Sequence, residues 1–274
     1  MKIGFIGLGN MATAMIGGII QNELVPASDI VGSAHTTASV DKAVNAFGIV
    51  GKKGEDANKE VAKEADVLIL AVKPLMYEAV LTEIKDVIKK DAILVSIAPG
   101  KTVEWISGLL DGTNVKSAEA KVVRCMPNTP ALVGEGCTGV CFAESNSEKD
   151  KETVLGILNS FGKAYEVPER LMDAVVGVSG SSPAYVFMFI EAMADAAVLD
   201  GIPRSQAYEF AAQSVLGSAK MVLETGKHPG ELKDMVCSPG GTTIEAVKIL
   251  EEHGLRSAVM EAQHACVVKA KGGK

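Results

Sequence analysis

The sequence predicts an α/β chain in two parts, a layered sheet-and-helix region over residues 1–167 and an all-helical region over 168–274. Three observations predict it. Short β-branched runs alternate with helical patterns in the first part. The strand signal stops near residue 171, and long apolar helical patterns divided by Gly/Pro breaks fill the remainder. The length of 274 residues exceeds one typical domain and suffices for a large core.

Taken in order, strands are expected at 2–6, 29–33, 66–72, 92–97, 121–126, 139–142 and 163–167. Helices are expected at 11–21, 36–47, 58–64, 75–89, 103–110 and 148–160. The run from Val67 to Val72 is apolar at every position, as a strand covered by helices on both faces should be. The alternation therefore predicts a mostly parallel sheet. Beyond it, helices are expected at 171–200, 204–225, 231–236, 243–253 and 255–269. They break at Gly201-Ile-Pro203, at His228-Pro-Gly230 and at Ser238-Pro-Gly-Gly241.

The stretch 183–199 is apolar on nearly every face. Glu191 and Asp195 interrupt it too soon for a membrane span. A helix apolar all round must be buried all round, so it predicts contact with another subunit. Glu191 and Asp195, four residues apart, read as a solvated or capped edge rather than an acid pair.

Composition narrows the function. Apolar residues make up 47% and charged residues 22%, the balance of a soluble globular protein. A net charge of −7 argues against general nucleic-acid or anionic-membrane binding, since both need a basic face. Five widely spaced cysteines and four scattered histidines suggest neither a disulfide framework nor a metal site. The first residues read as a strand rather than a targeting segment, so the cytoplasm is the expected compartment.

The N-terminal strand runs into Gly7-Leu-Gly9-Asn-Met-Ala12 and then a helix. Such a Gly-x-Gly-x-x-Ala turn binds a dinucleotide. Gly7 allows the tight turn, Gly9 leaves room for the pyrophosphate, and Ala12 lets helix and strand approach. The first part is thus expected to be Rossmann-like. The second strand ends in Ser33-Ala-His35-Thr-Thr37, with no acid placed to grip a ribose 2′-hydroxyl. Hydroxyls and an imidazole can instead donate to a 2′-phosphate. NADPH is the expected cofactor and NADH the alternative. Lys73, at the end of an apolar strand, is a candidate to meet a phosphate or ribose.

Longer motifs resemble the pyrroline-5-carboxylate reductase family across the whole chain. They are Gly4 to Ala12, Ala71-Val-Lys-Pro74, Arg124-Cys-Met-Pro-Asn-Thr-Pro-Ala-Leu-Val133, Gly177-Val-Ser-Gly-Ser-Ser-Pro-Ala-Tyr185 and, the most specific, Leu232 to Val247. The resemblance implies NAD(P)H-dependent reduction of 1-pyrroline-5-carboxylate to L-proline. It implies an NADP-binding Rossmann-like domain (1–167) and a helical substrate-binding and dimerisation domain (168–274), with dimers often assembled into decamers.

By the same resemblance, the cofactor is touched by Ile6, Gly7, Leu8, Gly9, Asn10, Met11 and Ala12, by Ser33, His35 and Asn58, by Ala71, Val72, Lys73 and Pro74, and by Ile97, Ala98 and Pro99. Substrate contacts fall to Glu169, Ser238, Gly241, Thr242 and Thr243, with Ser238 and Thr243 nearest the chemistry. Two positions depart from the family pattern. Ser182 stands where Gly is common, and Met235 where some members place Asn.

The chemistry agrees from below. A turn entering a helix offers free N–H groups to a carboxylate, and the hydroxyls of Ser238 and Thr243 add donors. A cyclic imine that binds protonated is already electrophilic, which suits a sequence without a His/Asp couple or nucleophile elbow. Two alternatives stay open. A β-hydroxyacid dehydrogenase would need a lysine such as Lys220 or Lys233 as its proton-moving group. A non-catalytic NADP sensor would bind cofactor without turning it over.

Overall fold

The computed structural model describes residues 1–111 and 117–272. The chain divides into two compact units, one formed by residues 1–181 with the end of the chain from Cys266, the other by Ser182–Ala265. In the first unit, eight strands form one sheet: β1 (Ile3–Ile6), β2 (Ile30–Ser33), β3 (Val50–Gly51), β4 (Val67–Leu70), β5 (Ile93–Ser96), β6 (Lys121–Met126), β7 (Gly136–Phe142) and β8 (Gly162–Glu166). Their order is β3-β2-β1-β4-β5-β6-β7-β8. All neighbours are parallel except β6 and β7, which run antiparallel. The order 3-2-1-4-5-6 is that of the doubly wound dinucleotide fold. Its connections reverse direction between β1 and β4, where such sheets open a ligand crevice.

The helices of this unit follow the strands: α1 (Asn10–Gln21), α2 (Thr37–Phe47), α3 (Ala57–Glu64), α4 (Tyr77–Ile84), α5 (Val103–Leu109), α6 (Glu148–Asn159) and α7 (Met172–Val175). Alternate residues of each central strand enter opposite cores. Phe5 and Ile69 join Met15, Ile16 and Phe161 on one face. Ile6, Leu68 and Leu70 join Val61, Leu81 and Ile84 on the other. That is why these strands read as unbroken apolar runs.

Local chemistry sets the ends. The Thr36 side chain accepts from Ser39 N–H to start α2, and Gly48 ends it in the left-handed region at φ 70°. Ser147 and Asp150 close a reciprocal capping box on α6.

The second unit contains α8 (Ser182–Leu199), α9 (Arg204–Thr225), α10 (Pro229–Val236) and α11 (Thr242–Glu252), and α12 (Leu255–Ala270) runs across its boundary. Its buried cluster consists of Ala194, Ala207 and Ala211, fringed by Ile190, Met193 and Ile202. Asp195 pairs with Arg204, as the capped-edge reading requires. Residues 169–199 are long and apolar enough to cross a membrane by composition, but the chain itself buries little of that window.

One element is added to those expected and two expectations change. The two-residue strand β3 is too short to give an alternating pattern. The helix expected over 75–89 resolves into a 3₁₀ turn at Pro74–Met76, with Pro74 in its first turn, and the shorter α4. The segment expected as one helix over 171–200 is interrupted by a π-helical stretch at Val176–Gly180, whose last turn is closed by Ser181 N–H on Val176 C=O at 2.8 Å. Asn128, buried at the end of β6, holds that stretch by donating to Ser179 C=O at 3.0 Å, and its Oδ1 accepts Cys137 N–H at 2.8 Å.

Candidate active site

The residues expected to meet the cofactor gather at the carboxyl ends of β2, β1, β4 and β5. Gly7 turns the chain out of β1 at φ 99°, and a Cβ there would lie 2.6 Å from Ala71 C=O. Only glycine fits. Gly9 is different: its backbone is ordinary, and a Cβ would meet no atom within 4 Å. The space in front of it is open, and no side chain caps α1. A pyrophosphate fits an uncapped helix N-terminus faced by a residue with no side chain.

Ile6, Leu8 and Ala12 are buried, with Leu8 packed on Gly32, so only their backbones are available to a ligand. Asn10 is exposed and Met11 partly so.

At the end of β2, Ser33 is fully buried and its hydroxyl donates to Asn58 Oδ1 at 2.7 Å. Asn58 Nδ2 in turn donates to Glu83 Oε2 at 2.9 Å. The Ser33 hydroxyl is therefore committed to orienting Asn58. Thr36 is occupied with its helix cap, while His35 and Thr37 are exposed at the rim. At the end of β4, Ala71, Val72 and Pro74 are partly exposed and Lys73 is exposed. At the end of β5, Ile97 is partly exposed, Ala98 buried and Pro99 exposed.

Glu169 also lies in this first unit. Its Oε1 accepts Val103 N–H at 2.8 Å, capping α5, and faces Arg124 Nη1 at 3.3 Å. Arg124 is buried and reaches Asp173 as well, at 3.4 Å. A buried guanidinium needs such partners, because one left unpaired would cost several kcal/mol.

In the second unit, Ser238-Pro239-Gly240-Gly241 forms a tight turn, with Gly241 N–H donating to Ser238 C=O at 3.0 Å and Gly240 at φ 68°. Proline second and a positive-φ glycine third are the residues a type II turn demands. Gly241 then serves as N-cap of α11 without a side-chain cap. A Cβ on Gly241 would sit 2.5 Å from the Ser238 hydroxyl, so glycine is required for that hydroxyl to fold over the helix start. Ser238 and Thr242 are exposed and Thr243 partly so. The turn thus presents the hydroxyls of Ser238, Thr242 and Thr243 beside uncapped N–H groups, an arrangement whose chemistry suits a small carboxylate.

These two constellations have counterparts in known proteins. Residues 169–272 match the family model described as pyrroline-5-carboxylate reductase dimerisation, and residues 2–100 match NADP oxidoreductase coenzyme F420-dependent. A pyrroline-5-carboxylate reductase of Escherichia coli (strain K12) is 51% identical over 98% of this chain and 97% of its own. A pyrroline-5-carboxylate reductase structure from Coxiella burnetii superposes with a TM-score of 0.89 at 34% identity, covering 100% of this chain and 98% of that one. A Plasmodium falciparum pyrroline carboxylate reductase with NADP bound gives 0.86 at 31%, covering 99% and 97%. The chain belongs to the pyrroline-5-carboxylate reductase family.

Membership makes it an oxidoreductase, and the dimerisation match supports self-association. Other chemistries find little footing. Burial pushes the thiols of Cys125 and Cys137 up and that of Cys141 up to about 11, so none is a ready thiolate. Among the described residues no group of three or more His, Cys, Asp or Glu is placed to hold a metal ion.

Sequence reasoning missed three side chains that hold expected site residues in place: Tyr77 at the ends of β4 and β5, Glu83 on Asn58 and Asp173 on Arg124. Only Tyr77 left a trace, as the one aromatic residue just after Ala71-Val-Lys-Pro74.

Proposed function

We propose that this chain reduces 1-pyrroline-5-carboxylate to L-proline with NADPH, NADH being the poorer donor. The observation that carries the proposal is the turn at Ser238–Gly241 opening α11, in a chain whose other unit ends its central strands in a dinucleotide crevice. The NADP oxidoreductase match and the NADP-bound relative support a nicotinamide cofactor. When bound, that cofactor supplies hydride.

The chain's own residues do the rest. The N–H groups at the start of α1, with Gly7 to Ala12, hold the pyrophosphate. Asn58, oriented by Ser33, and His35 attend the adenosine ribose and its phosphate. The backbone at Ala71–Pro74 and Ile97–Pro99, at the ends of β4 and β5, would line the bound dinucleotide. Ser238, Gly241 and Thr242 take the substrate carboxylate, and Thr243 orients the ring nitrogen. Glu169, held by Arg124 and Val103 N–H, is a further substrate contact by the family resemblance. The imine carbon accepts hydride while the nitrogen already carries its proton, so catalysis rests on position and electrostatics.

The family shared with the relatives favours neither the hydroxyacid dehydrogenase nor the sensor reading. We assign residues 1–167 to cofactor binding and 168–274 to substrate binding and dimerisation. Cytoplasmic homodimers that gather into decamers complete the proposal.

The test is oxidation of NADPH and of NADH by the purified chain with the cyclic imine. Turnover with NADPH ahead of NADH supports the reading, and cofactor binding without turnover overturns it. Thr243→Ala should lower kcat/KM for the imine by about 100-fold, the scale of one lost preorganised donor, with NADPH affinity within about twofold. Unchanged turnover would remove Thr243 from the site.

A further inference from the structure

At the carboxyl edge of the sheet, three neighbouring backbone rungs close the crevice, and one of them is abnormal. Between β1 and β2 the last rung, Gly7 N–H to Ser33 C=O, measures 2.9 Å. Between β1 and β4, Ala71 N–H to Ile6 C=O, it measures 2.8 Å. Between β4 and β5, Ile97 N–H to Leu70 C=O, it stretches to 3.5 Å, the edge of what counts as a hydrogen bond.

The phenol of Tyr77 occupies that gap. Its hydroxyl donates to Leu70 C=O at 2.6 Å and accepts Ile97 N–H at 3.2 Å. The Ser96 hydroxyl lies 3.2 Å from it and accepts Ala98 N–H at 3.4 Å. Tyr77 and Ser96 are both fully buried. A single oxygen thus bridges the last rung, as an inserted water would. It cannot exchange with solvent, because its ring begins α4 and packs in the core.

We propose that Tyr77 is a positioning residue for cofactor binding, its hydroxyl a built-in spacer that splays the ends of β4 and β5 and sets the separation of the 71–74 and 97–99 loops. The proposal rests on the reading that these loops flank the dinucleotide. Ligands of open α/β sheets bind outside the carboxyl ends of the strands around the switch point, here between β1 and β4, and the end of β4 beside that point is held off β5 by a side chain rather than by the backbone course alone. Phenylalanine at this position keeps the ring and deletes the spacer. Leu70 C=O and Ile97 N–H must then close on each other, drawing the end of β4 toward β5, or keep only their long 3.5 Å bond, a poor pairing where the phenol had satisfied both. In both cases the loops leave the geometry that suits the ligand. The phenol's pKa is pushed up to about 12, chiefly by burial, so the spacer keeps its proton throughout the working range.

The experiment uses the intact protein and Tyr77→Phe. NADP+ binding is measured by titration calorimetry without imine, the imine KM at saturating NADPH, and hydrogen exchange at the Ile97 amide. The expected result is an NADP+ Kd raised about tenfold, one lost buried hydrogen bond's worth, with the imine KM within about twofold and Ile97 exchange altered. A purely structural tyrosine would lower the melting temperature and leave Kd of the folded protein unchanged, and that outcome overturns the proposal.

If Tyr77→Phe does not fold, Ser96→Ala removes one neighbour of the phenol and must raise the NADP+ Kd about two- to threefold. No change there also overturns it. Failure of the wild-type chain to bind NADP+ or NAD+ would instead strike the cofactor reading and this proposal with it, an outcome distinct from equal binding by wild type and variant.

Discussion

The two units use apolar sequence in opposite ways. In the first, Phe5, Met15, Ile16 and Phe161 fill one side of the sheet and Leu68, Leu70 and Tyr77 the other, all fully buried. In the second, the fully enclosed cluster is three alanines where α8 meets α9. Its large side chains face outward: Phe187 is 61% exposed, Phe210 66% and Leu199 88%.

Three buried methyl groups contribute roughly 2–3 kcal/mol, whereas ordering each residue of the backbone costs roughly 1–2 kcal/mol. Such a unit has half a core. The comparison teaches that an apolar helix pattern specifies burial without specifying what does the burying. In the sheet unit the chain supplies the cover. In the helical unit the match to a dimerisation family points to a second copy.

The largest expected effect breaks the helical side of this contrast. Phe187→Asp places a charge in the middle of the outward apolar face of α8. It should weaken self-association by about 4 kcal/mol or more, on the order of a thousandfold in Kd, because the carboxylate would be buried unpaired. Sedimentation at micromolar concentration should then show single chains with the imine-reducing activity gone. An assembly of unchanged mass would mean that α8 is covered in some other way.

A matched change in the sheet unit sharpens the contrast. Phe161 is fully buried and lies against α1, so close that a Cβ on Gly18 would sit 2.5 Å from its own Cβ. Phe161→Ala should cost about 3–5 kcal/mol in urea denaturation, the usual price of a large core cavity. That loss should not depend on protein concentration, whereas the loss caused by Phe187→Asp should. Concentration dependence in both would show that the sheet unit, too, needs a partner.

The same contrast explains what was legible in the sequence. The strands and the Gly7–Ala12 turn were readable because their signals are local: unbroken apolar runs, a left-handed glycine, a small residue where helix meets strand. The turn at Ser238–Gly241 was readable for the same reason, since proline and glycine at fixed positions dictate it.

What escaped depends on partners distant in sequence. Ser33 looked like a hydroxyl free to donate, but Asn58, brought beside it by the fold, claims it. Tyr77 drew no notice in the sequence, because its hydroxyl meets Leu70 and Ile97 only where the fold brings two strand ends around it. The break at Val176–Gly180 follows a helical apolar pattern in sequence, and the grip that marks it comes from Asn128, far back in the chain. The partners of Glu169, Arg124 and the start of α5, likewise lie far from it in sequence.

The smallest expected effect concerns how each unit uses charge. In the helical unit, pairs such as Lys220–Glu224 and Lys248–Glu252 are one helical turn apart and well exposed, worth roughly 0.3–0.5 kcal/mol each. In the sheet unit, Asp150 is largely buried and meets Lys121 at 3.0 Å. Burial alone would raise its pKa, but hydrogen bonds from the Ser147 hydroxyl and backbone, together with Lys121, outweigh it and hold the carboxyl below its ordinary value. A depressed folded pKa means that the ionised form favours the native state. The stabilisation is complete above the unfolded value near 4 and drains away as pH falls through it toward the folded value. Asp150→Asn should therefore cost about 1 kcal/mol at neutral pH, the worth of a helix cap with a charge at the N-terminus, and progressively less as pH falls below the unfolded value near 4. Urea midpoints of wild type and variant measured across that range should converge on acidification. Parallel curves would show that the carboxylate's charge adds nothing to the cap, and that the two units differ in their cores alone.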